Sequence, residues 1–284
     1  TRKESSAASD VYKRQEEDDP VIQTWAKAYG VIADAFIGVE KEIYENMAWD
    51  GFKPFKITHI EQVTHNIKAF TVTSETQDLS QFVPGQYITV DIESERLPYR
   101  AKRHYSIVDG GKDFLTFGVR HEVSDTHEGE VSTVLHEEFK EGDTILLSAP
   151  VGGFKVHHSE KPQLFIGSGV GVTPLVSMYR QVVESQGTAQ MIHVAATEND
   201  VAFKDTLEAL TAKSSHAHLH LHIKDKEGYL EADELKTYLT DETEVYVCGG
   251  TPFLQSIIKT LDDLGVDQNR IHFETFVPRL SVNV

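Results

Sequence analysis

The sequence holds a single cysteine, Cys248, with three methionines and two tryptophans in 284 residues. A lone thiol cannot close an internal disulfide, so a cystine-stapled scaffold is excluded and a reducing compartment, the cytoplasm, is expected. Positive charge is also scarce, with 27 Lys and Arg against 45 Asp and Glu, a formal net charge of −18. Such a surface repels polyanions, which argues against nucleic acid as a partner. Long hydrophobic runs are missing: the longest uncharged stretch, Pro162 to Tyr179, is broken by three glycines and Pro174, so no bilayer span and no membrane association are expected. No N-terminal stretch has the charged head, apolar middle and small-residue cleavage site of a secretion signal. What is present is ordinary for a folded protein: 39% hydrophobic and 25% charged residues, on a chain long enough for two domains.

Residues 1–19 are polar and charged, without apolar periodicity, and read as a loose tail or a junction artefact. From Pro20 to about Met47 the apolar Val21, Trp25, Ala28, Ile32, Phe36, Val39 and Ile43 recur at three- and four-residue steps, which predicts one long helix with a continuous apolar face. Such a face needs a partner, and self-association through residues 20–48 is expected if none covers it. After Gly51 the texture changes to short β-branched and aromatic runs: Phe55–Ile60, Ile67–Thr73, Tyr87–Ile92, His104–Val108, Phe114–Arg120 and Thr144–Ser148. Closely spaced strands separated by turn residues predict an antiparallel barrel or sandwich. From about Lys161 apolar strands alternate with amphipathic helices, which predicts a parallel sheet with crossovers. The expected divisions are residues 1–19, 20–50, 51–157 and 158–284.

Three segments carry the chemistry. Gly167-Ser168-Gly169-Val170-Gly171-Val172-Thr173-Pro174 follows an apolar strand and opens a helix. Glycines there let backbone approach a diphosphate, and a helix N-terminus offers unpaired N–H groups; the same string also serves as a plain tight turn. Thr173 suits an N-cap and Pro174 a first helical position whether or not a ligand binds. Arg103-His104-Tyr105-Ser106, with Tyr87 on an earlier strand, offers a guanidinium, a stacking ring and a hydroxyl, the set a planar phosphorylated cofactor needs. By itself the tetrapeptide equally describes a strand with an exposed Arg and a half-buried Tyr. Gly129-Glu130-Val131-Ser132-Thr133 leads into a short helix whose N-terminus suits a second diphosphate, or is merely capped.

Taken in order, R-H-Y-S, G-E-V-S-T, G-S-G-V-G-V-T-P, then C-G-G-T-P-F at Cys248–Phe253 and E-T-F at Glu274–Phe276, the sequence resembles the ferredoxin-NADP reductase superfamily. Within it the likeness is to the flavohemoglobins, because the leading helix W-A-K-A-Y-G-V-I-A-D-A-F-I-G-V-E-K-E-I-Y is similar to their last globin helix. The resemblance covers about residues 20 to 279 and implies a six-stranded antiparallel FAD-binding barrel, a parallel-sheet NAD(P)H domain, and a globin of which only the last helix is kept. It implies that Tyr105 stacks on the isoalloxazine, that the Ser106 hydroxyl lies near its reactive nitrogen, and that Arg103 partners the FAD phosphates, with Tyr87 and His104 beside the cofactor. Gly129, Val131, Ser132 and Thr133 would hold the FAD diphosphate. Gly169, Val170, Gly171, Val172, Thr173 and Pro174 would hold that of NAD(P)H. Cys248 and Gly249 would line the nicotinamide pocket, Phe276 would shield the opposite flavin face, and Glu274 would tune electron transfer. Glu40 matches the glutamate that polarises the proximal histidine, although histidine and heme pocket are not expected here. Two departures are visible: Gly250 where the family has proline, and Val277 where it has glycine.

The expected activity is therefore an NAD(P)H-dependent FAD reductase whose acceptor in the family is the globin heme, the family reaction being oxidation of nitric oxide to nitrate. A stand-alone reductase for another redox partner, or a non-catalytic nucleotide-binding or assembly module, remain as alternatives. Glu198 and Asp200 follow the second parallel strand, where an acid suits a ribose hydroxyl, so NADH is preferred over NADPH. His216, His218, His220 and His222 alternate with apolar residues and read as the solvated face of a strand, so no metal is expected.

Overall fold

The structure is a computed structural model that describes residues 20–45, 47–124 and 127–276; the tail of residues 1–19, together with Val277 and the rest of the C-terminus, lies outside the described residues. Two units separate, residues 1–47 and 48–284. In the first, α1 (Pro20–Glu45) is a 26-residue helix, close to the expected span. Its apolar stripe is exposed: Trp25 and Tyr29 are each 72% accessible and Phe36 69%.

The second unit begins with a closed six-stranded barrel. Its strands are β1 (Phe52–Thr64), β2 (Ile67–Thr73), β3 (Tyr87–Ile92), β4 (Ala101–Gly110), β5 (Phe114–Arg120) and, after a two-residue hairpin of β6 (Val123–Ser124) and β7 (His127–Glu128), β8 (Thr144–Ser148). The order around the barrel is β1-β2-β5-β4-β3-β8, every neighbour antiparallel. Period-two alternation explains the closure: Ile57, Phe70, Val72, Ile88, Val90, Leu115 and Phe117 are all fully buried. Trp49 packs on Phe55 with centroids 5.3 Å apart, and its indole N–H donates to the Leu147 carbonyl. Helix α2 (Glu130–Glu137) links β7 to β8.

The remainder is a five-stranded parallel sheet. Strands β9 (Gln163–Ser168), β10 (Ala189–Ala195), β11 (Ala217–Ile223), β12 (Glu244–Gly249) and β13 (Ile271–Thr275) lie in the order β11-β10-β9-β12-β13. The crossovers are α3 (Val172–Glu184), α4 (Lys204–Thr211), the short α5 (Lys224–Glu227) and α6 (Ala232–Lys236), and α7 (Thr251–Asp263). From β9 the chain winds outward to β11, then returns to the other side of β9 as β12. That reversal is a topological switch point, and the crevice at the carboxyl ends of β9 and β12 is where such sheets take ligands.

Helix α3 joins the two halves of this unit. The Gly85 N–H, in the turn before β3, donates to Ser177 Oγ at 3.1 Å, and Arg180 pairs with Asp109 of β4 at 2.9 Å. Gly85 has φ +99°, and a Cβ there would stand 2.0 Å from the Phe154 carbonyl oxygen, so only glycine allows the approach. One apolar core runs through both halves, from Ile67, Ala69 and Val108 of the barrel to Val172, Leu175 and Tyr179 of α3.

Three local expectations need correction. Helix α3 begins at Val172, after a 3₁₀ turn at Gly169–Gly171, with Gly171 as N-cap. Thr173 is therefore inside the helix, its hydroxyl donating back to the Val170 carbonyl at 2.8 Å rather than capping, and Pro174 is not the first helical residue. The helix after β10, which the apolar spacing puts over Val201–Ala212, starts at Lys204 as α4, because Phe203 adopts φ +57° and breaks the run.

Candidate active site

A cavity of about 440 Å³ opens between the barrel and the carboxyl edge of the sheet. Strand β4 supplies one wall. Pairing of β3 with β4 puts Tyr87 opposite Ser106 and Thr89 opposite His104. Tyr87 packs on His104 with centroids 4.8 Å apart, and Thr89 Oγ1 holds His104 Nδ1 at 2.8 Å. Tyr105 is set against Phe117 of β5 at 5.8 Å and 27°, which presents its ring as a fixed plane, and burial pushes its phenol well up from the ordinary value. Ser106 is buried, and Arg103, also on the cavity, donates to the Lys102 carbonyl at 2.8 Å.

The N-terminus of α2 forms the floor. Gly129 is its N-cap with no side-chain cap, so first-turn N–H groups are left for a ligand, and Glu130, Val131 and Ser132 line the space. A Cβ at Gly129 would meet Ser132 Oγ at 2.6 Å, which fits a close-packed turn. Thr133 is buried one step behind, in contact with His121 Nε2 at 3.0 Å, and does not line the cavity.

The opposite side comes from the sheet. Val170 and Thr173 at the β9 turn, and Glu274, Thr275 and Phe276 at the end of β13, reach the cavity. The Phe276 N–H donates to the Gly249 carbonyl at 3.2 Å, fixing the last described residue to the end of β12. Glu274 Oε2 is buried without a hydrogen bond, and burial raises its carboxyl to about 7. Glu130 Oε2 is buried and unbonded too. Two orphaned acceptors in one cavity, beside an uncapped helix end, suit a ligand rich in hydroxyl and N–H donors and carrying phosphate.

Gly169, Gly171, Val172, Pro174, Cys248 and Gly249 do not line this cavity. They form the switch-point turn behind it. A Cβ on Gly171 would stand 2.6 Å from the Cys248 carbonyl oxygen and from Gly249 Cα, so the turn packs directly on β12. Gly169, at φ +56°, has nothing within 4 Å of a Cβ position and leaves its side of the turn open. Cys248 is buried, and its thiol is pushed well up by burial and then by nearby Glu274. The side chain of Glu40 lies outside the described residues.

Some cavity residues escaped the reading of motifs. Arg120, at the end of β5, lines the cavity while bonded to Glu122, and Lys102 and Gly118 line it as well. Gly118 had a signal: an isolated glycine inside the run FLTFGVR marks close approach. A Cβ there would stand 2.7 Å from Thr173 Cγ2. The acids expected at the ribose are already engaged: Glu198 lies 2.6 Å from Lys226 Nζ, and Asp200 closes a capping box with Thr197 and faces His65 at 3.2 Å.

The barrel, the switch-point turn and the cavity between them define a two-domain flavin- and pyridine-nucleotide-dependent reductase. Residues 54–156 match the oxidoreductase FAD-binding domain, and residues 165–259 the oxidoreductase NAD-binding domain. The chain is 39% identical to a flavohemoprotein of Bacillus cereus over 93% of its own length and 72% of that protein's, and 33% identical to one of Bacillus subtilis over 92% and 70%. It belongs to the flavohemoprotein family, as an FAD-containing NAD(P)H oxidoreductase module. Among solved structures it is similar to the FAD/NAD-binding domain of a nitric oxide dioxygenase from Vibrio cholerae, with TM-score 0.73 and 26% identity, covering 80% of this chain and 99% of that one. It shares the fold of a Malassezia yamatoensis flavohemoglobin, TM-score 0.80 at 17% identity, covering 95% of this chain and 71% of that one. Among the described residues no helix is long and apolar enough to cross a membrane.

Proposed function

We propose that this chain carries reducing equivalents from NAD(P)H through FAD to the heme of a globin domain, and that the complete protein oxidises nitric oxide to nitrate with dioxygen in the cytoplasm. The observation that carries the reading is one cavity on which Tyr105 and Ser106 of the barrel and Glu274 and Phe276 of the sheet converge. FAD, when bound, accepts a hydride and gives up its electrons singly, chemistry that is the cofactor's own. The chain's residues bind, orient and shield. Tyr105 offers the stacking plane, with Tyr87 and His104 beside it, and Ser106 a hydroxyl for the reactive edge. Arg103 and the first turn of α2, from Gly129 through Val131 to Ser132, answer the FAD diphosphate, with Thr133 bracing that turn from behind through His121. The turn from Gly169 to Pro174 answers the diphosphate of NAD(P)H, with Cys248 and Gly249 as the wall behind the nicotinamide. Phe276 covers the second flavin face and excludes water until nicotinamide replaces it. Glu274, raised to about 7 by burial, is poised to gain or lose a proton near neutral pH beside the transfer site.

The domain divisions in this reading are residues 20–50 for the last globin helix, 51–157 for the FAD domain and 158–284 for the NAD(P)H domain, with Glu40 as the counterpart of the glutamate that polarises the proximal histidine in the family. NADH is favoured over NADPH because acids follow β10, although Lys226 already pairs with Glu198. The test is an absorption spectrum of the purified chain before and after anaerobic NADH. Flavin bands that bleach support the reading. No flavin even after FAD is added would overturn it in favour of a binding module.

The exposed stripe of α1 favours a second expectation, self-association when no globin covers it. Light scattering should report a species larger than a monomer, dispersed by Trp25→Glu with Phe36→Glu. A monodisperse monomer of the unmutated chain would exclude it.

A further inference from the structure

On the far edge of the sheet, away from every residue that lines the flavin cavity, four side chains converge. His220 and His222 are two apart on edge strand β11 and so project from the same face. The crossover that follows brings two carboxylates back onto them. Glu227 comes from α5, and Glu234 from the first turn of α6. Glu234 Oε1 lies 2.9 Å from His220 Nε2 and 3.3 Å from His222 Nδ1, and Glu227 Oε2 lies 4.0 and 3.8 Å from the same two nitrogens.

Hydrogen bonding decides what these groups want. His222 is 1% exposed, and its Nε2 stands 3.1 Å from the Gly228 carbonyl oxygen, which can only accept. Its Nδ1 stands 3.3 Å from Glu234 Oε1, and in the tautomer with the proton on Nε2 the Nδ1 lone pair is turned toward the carboxylates. His220 Nε2 is buried and makes no hydrogen bond, despite its nearness to Glu234. Glu227 spends Oε1 on the Ile223 N–H at 2.8 Å and leaves Oε2 facing the histidines. His220, His222 and Glu227 thus each offer a ligand atom within 4.8 Å of the others, and Glu234 Oε1 stands beside both histidine nitrogens.

We propose that His220, His222 and Glu227, with Glu234 alongside, form a binding site for a divalent cation of the zinc class. Two ligands on a tetrahedral zinc at about 2.0–2.2 Å lie about 3.3–3.6 Å apart, and the observed separations of 2.9–4.0 Å straddle that edge length. Two neutral imidazoles and two carboxylates bring the site with its ion to zero charge. The Nε2–H of His222 on Gly228 is the outer-shell bond that orients a metal-binding histidine. Because its ligands come from β11 and from the crossover that follows, the role of the ion is to clamp that crossover. The sequence concealed it because the carboxylates follow the histidines across a turn and a short helix, and their convergence depends on how that crossover folds back.

The experiment uses the full chain, stripped with a chelator and titrated with zinc chloride by equilibrium dialysis, then with cobalt chloride by visible spectroscopy. The expected result is one zinc per chain, the visible bands of tetrahedral cobalt, and a thermal midpoint raised by zinc. His220→Gln and Glu227→Gln should each weaken binding at least tenfold, the latter keeping an oxygen for the Ile223 N–H. His218→Gln, on the same strand face, and His121→Gln, in a separate group with Glu128 and Glu137, should leave it unchanged. Circular dichroism of the metal-free variants reports folding independently. Loss of binding in His218→Gln or His121→Gln equal to that in His220→Gln would overturn the proposal, as would no zinc bound by the unmutated chain.

Discussion

Cys248 and Glu274 are register partners on the neighbouring parallel strands β12 and β13, and each is held toward its protonated form. Burial is the larger cause for the thiol and the carboxylate adds to it. Cys248 should therefore alkylate slowly: with iodoacetamide at neutral pH, native protein should react at least tenfold more slowly than protein unfolded in urea. Equal rates would mean the thiol is exposed.

Glu274 sets a window of pH. Its carboxyl stands at about 7 in the folded chain against 4.5 unfolded. The stability tied to its protonated form is complete below about pH 4.5 and is lost as pH rises through 7, by an amount on the order of 2–3 kcal/mol. Glu274→Gln should remove this fall. The check is the difference in thermal midpoint between the two proteins, free of flavin, from pH 4.5 to 8.

His193 works in the opposite sense. It is buried on β10 with both ring nitrogens unbonded, and burial lowers it to about 4. The unfolded chain binds the proton first, so stability is complete above about 6.5 and is lost as pH falls toward 4. His193→Leu, of similar volume, should gain about 2 kcal/mol on the unmutated chain at pH 5 relative to their difference at pH 8. Urea unfolding at both values measures it.

Tyr105→Ala with Ser106→Ala takes away the stacking plane and the hydroxyl on one strand. Flavin retained after desalting should fall, with FAD affinity weakened about tenfold or more. The sheet should keep its structure by circular dichroism.

Gly171→Ala places a methyl 2.6 Å from the Cys248 carbonyl oxygen and the Gly249 backbone, neither of which can swing aside. A loss of about 1–3 kcal/mol in stability and a rise in the KM for NADH are expected. Steady-state kinetics with a thermal melt separates the two.

How much of this was legible varies with the range of the interactions. Strands β2, β3, β5 and β8 lie where alternation puts them, because side-chain period and burial act within the strand itself. The start of α3 was misjudged because the Gly169–Gly171 turn takes up the residues that propensity would give to capping. The halt before α4 rests on one left-handed residue, Phe203, which no local preference announces. Motifs pointed to Tyr105, Ser106, Glu274 and Phe276, and these meet on one cavity. Lys102 and Arg120 were missed because nothing in their neighbours distinguishes them from ordinary solvated charges. The carboxylates beside His220 and His222 were missed because only the folded crossover brings them near.

The cavity's two walls belong to segments at opposite ends of the second unit, β4 on one side and the end of β13 on the other. A ligand that touches both is bound only by the state in which barrel and sheet are docked. Flavin concentration therefore acts on the docking equilibrium by mass action, and at 100 times its dissociation constant would add about 2.7 kcal/mol to the joined state. Cells short of flavin would hold a chain whose halves part more readily, so cofactor supply and resistance to proteolysis become one variable.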